Sequence, residues 1–153
     1  MQRELGRIGI DRPAAYAVGA PIEWTTPATP LSSYPRVDHT EMASALAADA
    51  ALPMLDLRRH SEWADGHVEG AKHVPLHELR DRLDEVVAWA QAQPREVWAY
   101  CGSGFRASIG CSILEAAGAS VVHVDDDFPN AAKAGLPITI PDAHETLGKT
   151  YAD

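Results

Sequence analysis

Apolar residues in this chain follow two rhythms. Short, nearly continuous apolar runs at residues 52–57, 71–74, 97–100 and 121–124 predict strands buried on both faces. Between them the apolar positions recur at helical spacing. Met42, Ala43, Leu46 and Ala47 give an apolar face to a helix that Asp38 and Glu41 open with capping-box spacing. Leu79, Leu83, Val86, Val87 and Ala90 predict helix across residues 76–93, stopped by Pro94. Ile109, Ile113, Leu114, Ala116 and Ala117 predict a helix starting near Arg106, buried on much of its circumference, with Gly118 as its C-cap. One or two helical turns are expected at 59–65, halted by Gly66, and a short helix before Ala134. Val37 begins the series as a short strand-like entry. Strands alternating with helices imply an α/β fold, a parallel sheet with helices on both faces.

Residues 1–35 break this rhythm. Five of the eleven prolines fall there (Pro13, Pro21, Pro27, Pro30 and Pro35), which disfavours long helices and makes an extended arm the default. Ile8, Ile10, Tyr16, Val18, Ile22 and Trp24 are too apolar for a simple flexible linker, so the arm is expected to pack on something. The expected organisation is an arm or remnant of a preceding domain at 1–35, a domain at 36–141 and a loosely held tail at 142–153.

Charge narrows the partners. Twenty-two acidic against thirteen basic residues give a net charge of −9, which argues against nucleic acid or an anionic membrane. No apolar run reaches transmembrane length, and the first residues lead into no apolar segment, so no signal peptide is expected. With only Cys101 and Cys111 there is no disulfide framework, and a reducing, cytoplasmic setting is expected.

Against this acidic background, Cys101-Gly102-Ser103-Gly104-Phe105-Arg106 stands out. A cysteine at the carboxyl end of a parallel strand sits where α/β sheets bind ligands. Gly102 and Gly104 allow the backbone to curl so that successive N–H groups converge, and the following helix turns its positive end toward the same cup. A local anion site built around a nucleophilic thiol is expected there.

These six residues resemble the active-site loop of the rhodanese family of sulfurtransferases. A second signature of that family lies about forty residues upstream: Met54-Leu55-Asp56-Leu57-Arg58, Glu62-Trp63, Gly66-His67-Val68-Glu69-Gly70-Ala71 and Val74-Pro75-Leu76. The resemblance covers roughly residues 36–141. It implies a central parallel sheet of about five strands, with Cys101 as the nucleophile that carries a persulfide. Gly102, Ser103, Gly104, Phe105 and Arg106 would line the substrate site, and Arg58 would face its mouth. For Arg106 the alternative is to tie the loop to neighbouring carbonyls; for Arg58 it is a surface salt bridge. Sulfur would pass from thiosulfate or a small-molecule or protein persulfide to a thiol or cyanide, with no cofactor. A fainter similarity, from Gly9 to Gly19 and from Trp24 to Leu31, is to the final stretch of a rhodanese-like domain. It suggests association with a metallo-β-lactamase-type domain, a homo-oligomer being the other expectation.

The same residues admit other readings. Protein tyrosine phosphatases and arsenate reductases use Cys-x5-Arg; here the arginine comes one residue earlier, and Ala107 holds the phosphatase position. A non-catalytic docking or regulatory module is the second alternative. His67, His73 and His77 present no ligand quartet, so no metal is expected. Cys111, well inside the following helix, reads as a small buried hydrophobe. Asp125-Asp126-Asp127 would put negative charge near the site and disfavour dianionic thiosulfate.

Overall fold

The computed structural model describes residues 18–27 and 31–140. Expectations for residues 1–17, including the Gly9–Gly19 similarity, and for 142–153 lie outside them. The chain divides into two units, Met1–Ser33 and Tyr34–Asp153. In the first, Pro21–Trp24 forms a single 3₁₀ turn, its φ pre-set by Pro21, and the Trp24 indole N–H donates to the Val18 carbonyl at 2.9 Å.

The second unit is α/β. Its elements are β1 (Arg36–Val37), α1 (His39–Ala48), β2 (Met54–Asp56), α2 (His60–Ala64), β3 (His67–Val68), β4 (Lys72–His73), α3 (Leu76–Leu79), α4 (Leu83–Gln91), β5 (Val97–Tyr100), α5 (Phe105–Ala116), β6 (Val121–Val124), α6 (Pro129–Lys133) and β7 (Ile138–Thr139). Five strands form one parallel sheet in the order β1-β6-β5-β2-β4.

Strand alternation divides the core in two. Leu55, Leu57, Val97, Ala99 and Cys101 point to one face, packed under α3, α4 and α5 through Leu79, Val86, Ala107, Cys111 and Leu114. Met54, Tyr100 and Val124 point to the other, against Met42 of α1 and Ala131 of α6. Helix α5 comes very close to β2: a Cβ on Gly110 would lie 2.4 Å from Leu57 Cδ1.

Local signals in the sequence are used as read. Asp38 accepts from Glu41 N at 2.8 Å while Glu41 accepts from Asp38 N at 3.0 Å, closing the capping box of α1. After α5, Gly118 adopts φ +87°, Ala119 N donates to Leu114 O and Gly118 N to Glu115 O, a Schellman ending. Two expectations change. Residues 76–93 form two helices, because Arg80-Asp81-Arg82 turn outward and Arg82 leaves the helical region at φ −108°, ψ 15°. In addition, β3 and β7 pair antiparallel as a separate two-stranded sheet, with His67 opposite Thr139 and Val68 opposite Ile138.

Candidate active site

The chain leaves β2 toward β4 on one side and leaves β5 toward β6 on the other, so the sheet changes direction between β2 and β5. Crevices at such a switch point, outside the carboxyl ends of the strands, are where open α/β sheets bind ligands. Arg58 follows β2 and Cys101 follows β5, so the topology brings both to this crevice.

Cys101 continues the inward alternation of Val97 and Ala99 and is only 1% exposed. Its Sγ accepts a hydrogen bond from Ala107 N at 3.3 Å. The helical ladder of α5 starts with Ser108 N donating to Gly104 O, which leaves the N–H groups of Phe105, Arg106 and Ala107 outside it. The turn is therefore a strand end and a helix start joined by the four residues Cys101 to Gly104, with the sulfur at the helix amides.

The loop is held from three sides. His123 Nε2 donates to Gly104 O at 2.9 Å, and Phe128 N donates to Gly102 O at 3.0 Å. Gly104 has φ +78°, and a Cβ there would meet Asp125 Oδ1 at 2.1 Å, so only glycine fits. On the third side Arg106 forms a bidentate ion pair with Glu62 of α2, at 2.5 and 2.7 Å. That guanidinium holds the Glu62 carboxyl below the usual carboxylate range, and Glu62 in turn raises Arg106.

Arg58 is held by buried contacts. It is 3% exposed; it donates to both Asp56 carboxylate oxygens at 2.8–3.1 Å and to Gly66 O at 2.7 Å, and it lies 3.5 Å from the Phe128 ring centroid. This is a buried pair and not the surface salt bridge of the alternative reading. Tyr100 opposes Asp56 in the strand register, and its hydroxyl accepts from Val68 N at 3.2 Å. Burial, reinforced by the Asp56 charge, pushes the Tyr100 phenol well above its ordinary value.

The expected site residues thus fall into two groups. Cys101 and Gly102 to Arg106 form one turn, with Ser103 and Phe105 exposed at its rim and Phe105 72% exposed. Arg58 stands in a buried pair with Asp56. Ala107, at the phosphatase arginine position, is fully buried. The aspartate run is split: Asp125 pairs with Arg36 at 3.2 Å, and Asp126 bonds His39 and Asn130. Asp127 bridges antiparallel to Ser103. Glu62 and His123 received no role from the sequence, although Glu62 stands in the upstream signature.

Of the histidines, His67 stacks on Trp63, with Nδ1 3.2 Å from Trp63 O, and His73 Nε2 donates to Arg58 O at 2.9 Å. Among the described residues the one group of metal-ligand type is instead His60, His77 and Glu78.

Comparison with known proteins agrees with this architecture. Residues 38–134 match the family model of the Rhodanese-like domain, and the chain belongs to that family. A sulfurtransferase of Allochromatium vinosum is 28% identical over 107 residues, covering 69% of this chain and 95% of that protein. The HTH-type transcriptional regulator Rv0324 of Mycobacterium tuberculosis is 34% identical over 87 residues, 56% of this chain. The match spans only 36% of the regulator's length. The crystal structure of a rhodanese-like domain protein from Staphylococcus aureus superposes with a TM-score of 0.57 at 23% identity. It covers 69% of this chain and 98% of that one, and it attests the shared fold.

Proposed function

We propose that the protein is a sulfurtransferase in which Cys101 carries the sulfur. The observation behind this reading is Cys101 Sγ at the switch point of the sheet, 3.3 Å from the amide of Ala107 at the start of α5. The Cys101 thiolate attacks the outer sulfur of a donor. The donor's S–S bond breaks, its electron pair leaves with sulfite or a thiolate, and Cys101 is left as an anionic persulfide. The amides of the turn stabilise that anion as an oxyanion hole would. An acceptor thiolate or cyanide then attacks the terminal sulfur and returns Cys101 to the thiolate. The step needs no cofactor.

Charge around the turn selects the donor. Arg106 and Arg58 are both paired with carboxylates, and Asp125 abuts Gly104. No guanidinium of the turn is left to neutralise a dianion, so a small persulfide is favoured over thiosulfate. Six residues from Cys101 to Arg106 make a ring suited to one sulfane sulfur, against a phosphoryl group with its three equatorial oxygens. Arg58 and Asp56 act as positioning residues that fix the crevice floor. A cytoplasmic setting fits the free thiols of Cys101 and Cys111.

Intact-protein mass spectrometry tests this reading. Mixing with glutathione persulfide should add one sulfur, located on Cys101 by peptide mapping, and Cys101→Ser should take up none. Thiosulfate should load Cys101 less completely. A folded protein that gains no sulfur from either donor is a docking module, and the proposal then fails.

A further inference from the structure

Four histidines lie on adjoining segments at the α2–α3 corner: His60, His67, His73 and His77. Trp63 stacks between His67 and His73, and His60 meets His73 edge-on with ring centroids 5.0 Å apart. His67 and His73 each have one ring nitrogen at a backbone carbonyl and fall outside the cluster of neighbouring ligand atoms. His60, at the start of α2, and His77 with Glu78, in the first turn of α3, are arranged otherwise. Their ligand atoms all lie within 4.8 Å of one another, with His60 Nε2 2.5 Å and His77 Nε2 3.9 Å from Glu78 Oε1.

We propose that His60, His77 and Glu78 form a binding site for a divalent transition-metal ion of the zinc type, joining α2 to α3. The donor chemistry selects the metal: two imidazoles and one carboxylate suit zinc-like ions, whereas calcium and magnesium prefer all-oxygen sets. Bonds of about 2.0–2.2 Å place tetrahedral ligand atoms roughly 3.3–3.5 Å apart. His60 and Glu78 need only separate slightly, the ion replacing the proton they share and releasing it to solvent. His77 is 55% exposed and is able to swing inward at little cost. Arg82 bonds the other Glu78 oxygen at 3.1 Å and so orients the carboxylate, as outer partners do in established metal sites. Three protein ligands leave the fourth position to water.

Occupancy has a consequence for the loop. The helix that supplies His60 also carries Glu62, which grips Arg106. An ion anchoring α2 to α3 stiffens that grip from outside the crevice. The inference departs from the sequence expectation of no metal. It rests on side-chain geometry alone and stands or falls independently of sulfur transfer.

The experiment uses the full chain carrying Cys101→Ser, so that no active-site thiolate competes for the ion. Calorimetric titration with Zn²⁺ should show one ion per chain, and thermal melting should rise with Zn²⁺ but not with Mg²⁺, as expected for a ligand that binds only the folded state. His77→Ala, at an exposed position that spares the fold, should weaken binding at least tenfold and abolish the thermal shift. Glu78→Gln should act in the same direction. Undiminished Zn²⁺ binding by His77→Ala, or binding present in the natural chain and absent in Cys101→Ser, would place the ion elsewhere and overturn the proposal.

Discussion

Cys101 and Cys111 share one loop and helix but differ in surroundings: Cys101 Sγ accepts from Ala107 N at the helix start, whereas Cys111 lies within the core. Cys111 is fully enclosed in the core, its Sγ 4.0 Å from Val122 O, and burial together with the nearby Cys101 pushes its thiol up to about 12. It stays protonated at any physiological pH, and the thiolate is the reactive form. Iodoacetamide applied at neutral pH should therefore leave Cys111 unmodified in the native protein and alkylate it in guanidinium chloride, as read by peptide mass spectrometry. Alkylation of Cys111 without denaturant would contradict the enclosed position. At this scale the sequence was a good guide where chemistry is local. Spacing alone marks Cys111 as a small core residue and Cys101 as the end of a strand. It was a poor guide to Arg106, whose partner Glu62 lies 44 positions away and meets it only because α2 folds over the loop. Arg58 was ambiguous for the same reason: Asp56 two residues earlier suggests a pair, but its burial comes from Phe128 and Gly66 arriving from elsewhere.

The β5–α5 connection shows how an element boundary is set by what lies behind it. Gly104 stands in the left-handed region at φ +78°, its carbonyl bonded by His123, and a side chain there would collide with Asp125, whose Cα would be 3.0 Å away. Gly104→Ala should cost at least about 1–2 kcal/mol for the backbone conformation alone, before the collision is relieved. Urea denaturation measures that loss, and persulfide loading of Cys101 should fall with it, because Asp125 or the turn has to move. A variant as stable as the natural protein would show that the turn tolerates a different path. The glycine and the helix start were legible in sequence, since φ > 0 and helix periodicity are properties of short segments. The β3–β7 pair was not. Each strand is two residues long, below the length at which alternation can be recognised, and the partners His67 and Thr139 lie far apart in the sequence. The break between α3 and α4 was hidden because Leu79 and Val86 keep helical spacing across it.

On the scale of the molecule, a net charge of −9 coexists with a second core layer that contains a buried imidazole. His39 is 1% exposed, edge-on to the rings of Tyr100 and Phe128, and its Nδ1 bonds Asp126 at 3.2 Å. Its Nε2 has no hydrogen-bond partner among the described residues. Burial lowers the His39 pKa below its ordinary 6.5, against the opposing pull of Asp126 and Asp38 and with a smaller push from Arg58. The sign of the linkage follows. Between the lowered folded value and 6.5 the unfolded chain binds a proton at this site that the folded chain does not, so stability falls as pH drops through that window. Above 6.5 both states are neutral here and the site contributes no slope. His39→Gln keeps a donor for Asp126 but cannot titrate. Urea denaturation at successive pH values below 6.5 should therefore give a shallower loss of stability in the variant than in the natural protein. His73, whose pKa burial also lowers, is present in both proteins, so the difference between the two curves isolates His39. Parallel curves would mean that His39 takes up its proton in the folded state as readily as in the unfolded one, and that the layer between α1 and the sheet admits water to the imidazole.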